Sequence, residues 1–214
     1  MNRLFKYILL LASVVCNFSC EKEIDLNEYA VTKIYYRTSD DKPITQSDGW
    51  NREFDSQILA DSYSADNGGC LLVYGNVTVF GTWFEGNSSL MEVTIPLGIK
   101  NISDFTFYKC SSLTSITIPD SVTTIGEGVF CGCSSLTSVT IGDSVTTIGS
   151  WAFYCCLDLT TVYCKATTPP TGGNSMFISN AAGRKIYVPA ESIEAYKSAA
   201  GWKAYANAIV GYDF

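Results

Sequence analysis

Apolar residues recur every 23 positions along the middle of the chain. Four columns, one of leucine, two of valine or isoleucine and one of phenylalanine, keep this step through four consecutive units. Their members are Leu90, Leu113, Leu136 and Leu159; Val93, Ile116, Val139 and Val162; Val79, Ile102, Ile125 and Ile148; and Phe84, Phe107, Phe130 and Phe153. Columns that stay in register indicate an internal repeat, in which each unit forms one turn of a stacked structure.

The pattern of each unit predicts one short β-strand, after which the chain reverses direction. In the stretch LTSITI, residues 113–118, the apolar Ile116 and Ile118 alternate with hydroxyl-bearing residues, which is typical of a strand with one buried side. Pro119 then ends the strand, because proline has no backbone donor. A single unit cannot bury its apolar side alone, so we expect the stacked units to share one continuous core.

Two neighbouring units are nearly identical. CSSLTSITIPDSVTTIGEGVFCG, residues 110–132, and CSSLTSVTIGDSVTTIGSWAFYC, residues 133–155, share 16 of 23 positions. This pattern resembles the BspA-like leucine-rich repeats of bacterial surface proteins, and the resemblance extends over residues 66–189. It implies a β-rich α/β solenoid of right-handed leucine-rich repeats, with one parallel sheet of about six strands and a C-terminal helical cap.

The segments on either side of the repeats also match this family. KIYYRTSDDKPITQ resembles the hairpin-like segment that precedes such repeats, so we assign residues 20–65 to an N-terminal tether and capping segment. Residues 190–214 predict a helical cap. In this cap Ile193, Tyr196 and Trp202 are expected to cover the last coil.

The first residues of the chain predict export. Arg3 and Lys6 precede an apolar run, and this layout assigns residues 1–19 to a secretory signal peptide. The run ends before Cys20, which resembles a bacterial lipoprotein signal and implies lipidation of Cys20. The acidic EKEID that follows resembles the segment that accompanies surface display in lipoproteins of the Bacteroidetes. The alternative is ordinary secretory cleavage, which leaves Cys20 incidental. We expect an outer-membrane lipoprotein at the cell surface, with a periplasmic or secreted protein as the alternative.

Composition and charge argue against several functional classes. The chain has 214 residues and no histidine, so it lacks the most common general base, nucleophile partner and metal ligand. Its formal charge of −7 disfavours nucleic-acid binding, which needs a basic face. No pair of acidic residues recurs with the spacing that a carboxylate hydrolase requires. We therefore predict no enzymatic activity, no catalytic or metal site and no cofactor.

Three of the nine cysteines fall in one column of the repeat. They are Cys110, Cys133 and Cys156, and Asn87 holds the same place one unit earlier. A position that takes either Asn or Cys predicts a structural ladder, in which the side chain serves buried backbone groups. A zinc site would need four thiols that converge, whereas these follow one another along the stack.

Two further features leave alternatives open. Export permits disulfides, and Cys131 with Cys155 on neighbouring coils is one pairing; free thiols at these positions and at Cys164 are the other. The triplet DSV, which contains Ser121 and later Ser144, resembles a bacterial O-glycosylation sequon. Its alternative is a turn in which the aspartate caps local backbone groups.

The outward positions of the predicted strands form the candidate binding face. It consists of Glu92, Thr94, Ser115, Thr117, Ser138, Thr140, Thr161 and Tyr163. Solenoids commonly bind partners through such an extended sheet surface, although a column of hydroxyl groups is also ordinary solvated sheet surface.

These features predict a non-enzymatic binding or adhesion module. The resemblance implies a protein of the cell surface that recognises a host or bacterial protein or a glycan, because larger relatives adhere to host matrix proteins. We expect a monomer that contacts the membrane only through its lipid anchor. A structural protein of the cell envelope without an external ligand is the alternative, and a carboxylate-dependent hydrolase is a remote one.

Overall fold

The computed structural model describes residues 31–44, 58–64, 68–74 and 77–214. The predicted signal peptide, residues 1–19, and the lipidation candidate Cys20 lie outside the described residues. The described chain begins with an antiparallel sheet and continues as a solenoid of stacked coils.

The N-terminal sheet is antiparallel and covers the first coil. It contains β1 (Val31–Thr38), β2 (Ile58–Ser64), β3 (Gly68–Tyr74) and β5 (Leu90–Val93), in the order β2-β3-β1-β5. Tyr36 of β1 is 4% exposed, and its hydroxyl accepts a hydrogen bond from the Ile44 amide at 3.1 Å. Gly69 lies directly beneath this ring, since a Cβ atom there would overlap the ring of Tyr36.

Each coil after the first contributes one longer strand to a front sheet and one two-residue strand to a back sheet. The front sheet contains β7 (Ser115–Ile118), β9 (Ser138–Ile141), β11 (Thr161–Cys164), β13 (Lys185–Pro189) and β14 (Ile209–Tyr212). The back sheet contains β4 (Val79–Phe80), β6 (Asn101–Ile102), β8 (Thr124–Ile125), β10 (Thr147–Ile148) and β12 (Thr171–Gly172). Both sheets are parallel, as expected when successive coils wind in the same direction.

The C-terminal segment closes the solenoid. A 3₁₀ turn at Ala190–Ser192 leads into helix α1 (Ile193–Ser198), and a second 3₁₀ segment at Lys203–Ala208 leads into β14. Tyr196 and Trp202 are fully buried, with their ring centroids 4.8 Å apart in an edge-on arrangement. Both rings also donate hydrogen bonds of 2.7 Å to backbone carbonyls of the last coil.

The prediction of a β-rich leucine-rich-repeat solenoid with a C-terminal helix is confirmed, and the strands are distributed in a way that the repeat pattern does not reveal. Within the described residues the front sheet has five strands. The strand of the first repeat, β5, instead pairs antiparallel with β1. At the other end β14, from the segment predicted as a helical cap, pairs parallel with β13 and extends the front sheet.

A continuous stack of phenylalanine rings runs through the core. Phe107, Phe130, Phe153 and Phe177 lie on successive coils, with centroids 5.1–5.2 Å apart and ring planes within 8° of parallel. All four side chains are buried. Because each ring packs against the rings of the coils above and below, the stack links every coil to its neighbours.

We expect Phe130→Ala to lower the free energy of unfolding by about 3–5 kcal/mol, because it removes a ring that contacts two neighbours and leaves a cavity between coils. Urea denaturation followed by circular dichroism measures this loss. Leu157→Ala is the control, since Leu157 is 57% exposed and its truncation should cost no more than about 0.5 kcal/mol. Equal losses in the two variants would contradict a role for the stack.

Candidate binding face and thiol column

The eight residues of the candidate binding face lie on one outward surface, built by β5, β7, β9 and β11 and their ends. Their side chains are exposed at the β5 and β7 end and half-buried towards β11. The parallel register aligns Ser115 with Ser138 and Thr117 with Thr140, so equivalent hydroxyl groups form straight columns across the strands. Whether this surface binds a ligand stays a prediction.

Four threonines of the turns use their hydroxyl groups inside the protein. Thr137 and Thr160 donate hydrogen bonds to the carbonyl of the preceding coil at 3.0 and 3.2 Å, and Thr123 and Thr146 do the same at 3.1 Å. These bonds tie each coil to the previous one through side chains as well as through the backbone.

The hydroxyl groups of the face differ from those of the turns. Among the described residues, the side-chain hydroxyls of four face residues on β7 and β9 have no hydrogen-bond partner. These residues are Ser115, Thr117, Ser138 and Thr140. Their donors and acceptors therefore point to solvent and are available to a ligand.

An aromatic cluster ends the face at its C-terminal side. It consists of Tyr163, Tyr187, Tyr212 and Phe214. The rings of Tyr163 and Tyr187 stack at 5.0 Å, and Tyr212 packs edge-on against both. Tyr212 is 43% exposed and Phe214 is 53% exposed, so the cluster presents ring surface to solvent.

At the opposite side the face ends in an open groove of about 570 Å³ between β5 and β7. The groove exists because β5 and β7 belong to different sheets. Its lining includes Tyr35, which is 42% exposed, and Arg37, whose guanidinium lies 3.8 Å from the Glu92 carboxylate. Both partners of this ion pair are substantially exposed, so it contributes little to stability.

The repeat pattern identifies Tyr163 but not its neighbours in the cluster or the groove. Tyr187 lies beyond the insertion that breaks the repeat, and Tyr212 and Phe214 lie in the segment read as a helical cap. Tyr35 and Arg37 belong to β1, which carries no repeat signal. Aromatic residues at strand-like spacing, as in KIYVP, are the one local signal for them.

The three cysteines of the thiol column, Cys110, Cys133 and Cys156, point into the coil. Their thiols donate hydrogen bonds of 3.0–3.1 Å to the carbonyls of Phe84, Phe107 and Phe130 respectively. Each bond reaches back across one coil to a carbonyl beside the phenylalanine stack. All three side chains are fully buried.

At both ends of the column an asparagine replaces the cysteine. The Asn87 side-chain oxygen accepts hydrogen bonds from the Ser89 and Leu90 amides at 3.2 and 3.0 Å. The Asn180 amide donates to the carbonyls of Phe153 and Cys156 at 2.8 and 3.3 Å. Asn180 therefore bonds to the same kind of phenylalanine carbonyl as the column thiols, whereas the Asn87 side-chain oxygen accepts from amides of its own coil.

Burial raises the pKa of all three column thiols above its ordinary value. Burial also raises the pKa of Cys164 to about 11, although a contact of 3.2 Å with the Tyr196 hydroxyl opposes the shift. These thiols stay protonated at neutral pH, whereas a metal ligand or a nucleophile requires the thiolate.

Among the described residues, the cysteines outside the column are also free thiols. Cys131 and Cys155 are half-buried on neighbouring coils and are not bonded to each other. Burial raises the pKa of Cys131, and the nearby Cys155 raises it further. The disulfide between them that export would permit therefore stays a prediction.

The turns that carry DSV are tied to their neighbours by aspartate. The Asp120 carboxylate accepts a hydrogen bond from the Asp143 amide of the next coil at 3.1 Å and lies 3.8 Å from the Lys165 amine. The Ser144 hydroxyl donates to the Asp143 carboxylate at 3.0 Å, and that of Ser121 accepts from the Gly98 amide at 3.3 Å. Glycosylation of either serine stays a prediction.

The described part of the chain contains no group of three or more Cys, Asp or Glu side chains arranged to hold a metal ion. In the same residues, no helix has both the length and the apolar character to cross a membrane.

The fold and the hydrogen-bonded column define a leucine-rich-repeat solenoid. Residues 76–199 match the BspA type leucine-rich repeat region in six copies, so the chain belongs to this family. No curated protein matches the chain. Members of leucine-rich-repeat families are typically non-enzymatic scaffolds that bind other proteins.

We expect iodoacetamide at pH 8 to modify Cys131 and Cys155 of the folded protein at least about tenfold faster than the three column thiols, because the latter are buried and protonated. Mass spectrometry of peptides from a time course measures the five rates. The same reaction in concentrated urea is the control, and there all five cysteines should react. Rapid modification of Cys133 without urea would contradict the buried column.

Proposed function

We propose that this protein is a non-enzymatic binding and adhesion module that recognises an extracellular protein or glycan through the binding face. The observation that carries the proposal is the set of face hydroxyls on β7 and β9 without an internal partner among the described residues, beside four turn threonines whose hydroxyls bond to the preceding coil.

The family supports the same class of function. A BspA type repeat region is a scaffold for interactions, and the column thiols serve the backbone and not a reaction. The ends of the face add an aromatic cluster and a groove with a paired arginine and carboxylate. Aromatic residues and arginine are enriched where binding energy concentrates.

We further propose that the protein works at the outer surface of the cell as a monomer, anchored by lipid on Cys20. This proposal rests on the basic and apolar layout of residues 1–19 and on the acidic EKEID that follows Cys20.

We expect simultaneous Thr94→Lys, Thr117→Lys and Thr140→Lys substitutions to weaken binding to the true ligand at least about tenfold. Three long cationic side chains then project from one of the two columns of the face. Biolayer interferometry against extracellular matrix proteins and a glycan panel measures the loss. The matched control carries lysine at Thr124, Thr147 and Thr171, which are aligned in the same way on the back sheet. Unchanged binding by the face variant would show that another surface is used.

Protease treatment of intact cells tests where the protein is displayed. We expect trypsin to remove a C-terminal epitope tag from whole cells, while a periplasmic control protein stays intact. Full protection of the tag in intact cells, with digestion after lysis, would favour the structural protein of the cell envelope instead of external adhesion.

A further inference from the structure

We propose that the ligand of the binding face is a neutral polysaccharide, whose sugar rings pack against the aromatic cluster while its hydroxyl groups bond to the face. The inference rests on the proposed function, because it assumes that this face binds a macromolecule. It goes further by naming the chemical class of the ligand.

The aromatic cluster has the surface that a sugar ring requires. A pyranose presents C–H groups on its two faces and hydroxyl groups around its rim, so its recognition needs both aromatic surface and polar partners. The cluster keeps Tyr212 and Phe214 about half exposed, although its rings contact one another within 6.3 Å. These contacts hold the rings in place before a ligand arrives, which lowers the entropy cost of binding.

The tyrosine hydroxyls of the cluster are available. In the described part of the chain, the hydroxyls of Tyr163, Tyr187 and Tyr212 have no hydrogen-bond partner. The other tyrosines with an assigned hydroxyl contact use it internally: Tyr36, Tyr63, Tyr196 and Tyr205. Each phenol of the cluster can therefore donate and accept at the ligand without breaking an existing bond.

The serines and threonines of the face continue the same chemistry across the strands. Ser138 and Thr140 adjoin Thr161 and Tyr163 in the parallel register, and Tyr163 adjoins Tyr187 on the next strand. Neighbouring strands lie about 4.8 Å apart, so the surface from β7 to β13 spans about 14 Å. A short segment of an extended sugar chain that crosses the strands meets hydroxyl groups over this length and aromatic rings at its end.

Charge favours a neutral ligand over a charged one. The outward positions of β7, β9 and β11 carry no charged side chain, and the charged groups that flank them have both signs: Glu92 beside Arg37 at one end and Lys185 of β13 at the other. Apart from Glu92, which pairs with Arg37, the acids of the repeats lie away from the face, as at the turn residues Asp104, Asp143 and Asp158. A polyanion would meet an acidic protein that offers single lysines such as Lys185 and no cluster of basic residues on the described face, whereas a neutral ligand meets no electrostatic penalty.

The acidic groups near the cluster suit hydroxyl donors. Beside Phe214 an open pocket of about 310 Å³ is lined by Glu191 and Asp213 and by Lys165. Carboxylates accept hydrogen bonds from hydroxyl groups, and the amine donates to ring or glycosidic oxygens. The pocket therefore extends the polar rim of the site past the last ring.

Affinity electrophoresis and isothermal titration with defined polysaccharides test the proposal. The probes are laminarin, soluble amylose and galactomannan as neutral chains, and heparin and polygalacturonate as anionic ones. We expect retention by at least one neutral chain and by neither anionic chain. The Tyr163→Ala, Tyr187→Ala double variant should bind that chain at least about tenfold more weakly.

Two controls separate loss of contact from loss of fold. Tyr108→Ala removes a half-buried tyrosine of a turn, away from the face, and should leave polysaccharide binding unchanged. Tyr212→Ala with Phe214→Ala removes the two most exposed rings and should weaken binding while thermal unfolding stays that of the parent protein.

Three outcomes would overturn the inference. They are no binding of any neutral chain, equal binding of the anionic chains, and full binding by both cluster variants. If a matrix protein binds and the three face lysines abolish that binding while no neutral polysaccharide is retained, the proposed function stands and the sugar ligand is wrong.

Discussion

The structure depends on one constraint: no coil of this chain can bury its own apolar side. A central unit of 23 residues supplies one strand of four residues, one of two residues and one fully buried phenylalanine ring, which is too little to form a core. The next unit completes it, through phenylalanine rings 5.1–5.2 Å apart and strands paired in parallel. Stability is therefore a sum of contacts between neighbours.

Tight stacking creates a second requirement, because carbonyl groups that turn inward beside the phenylalanine rings need hydrogen-bond donors. The thiol of Cys133 reaches the Phe107 carbonyl at 3.1 Å, and Asn180 reaches the Phe153 carbonyl at 2.8 Å. Cysteine is a weak donor but an apolar, compact side chain, so it fits a buried column at a low cost in desolvation. Asparagine stands at both ends of the column, where Asn87 accepts from two amides and Asn180 donates to two carbonyls.

The repeated part of the fold could be predicted from sequence because its contacts repeat with the letters. Ser138 pairs with Ser115 on one neighbouring strand and with Thr161 on the other, and each of these pairs is 23 residues apart along the chain. The ends could not be predicted in this way, since their pairings join distant and unlike segments. Val31 pairs with Tyr74, and β1 then takes the place beside β5 that a preceding repeat would occupy.

The candidate site likewise has one part that the sequence predicts and another that it does not. The hydroxyl columns follow from alternation within each strand, whereas the aromatic cluster arises only when β14 returns to the front sheet. The ring centroids of Tyr212 and Tyr163 lie 5.3 Å apart, although the two residues are 49 positions apart along the chain. The local pattern around Tyr212 therefore gives no sign of this contact. Sequence periodicity thus predicts the neutral centre of the face and not the ends that frame it.

The close identity of the two central units bears on how such a protein can change over generations. Two adjacent, nearly identical coding segments can misalign during recombination, and the product gains or loses 23 residues at once. Because coils touch only their neighbours, such an event leaves both closing segments in place and alters the reach of the outer surface by about 4.8 Å. The solenoid can therefore become longer or shorter by whole coils while the core of each remaining coil keeps its packing.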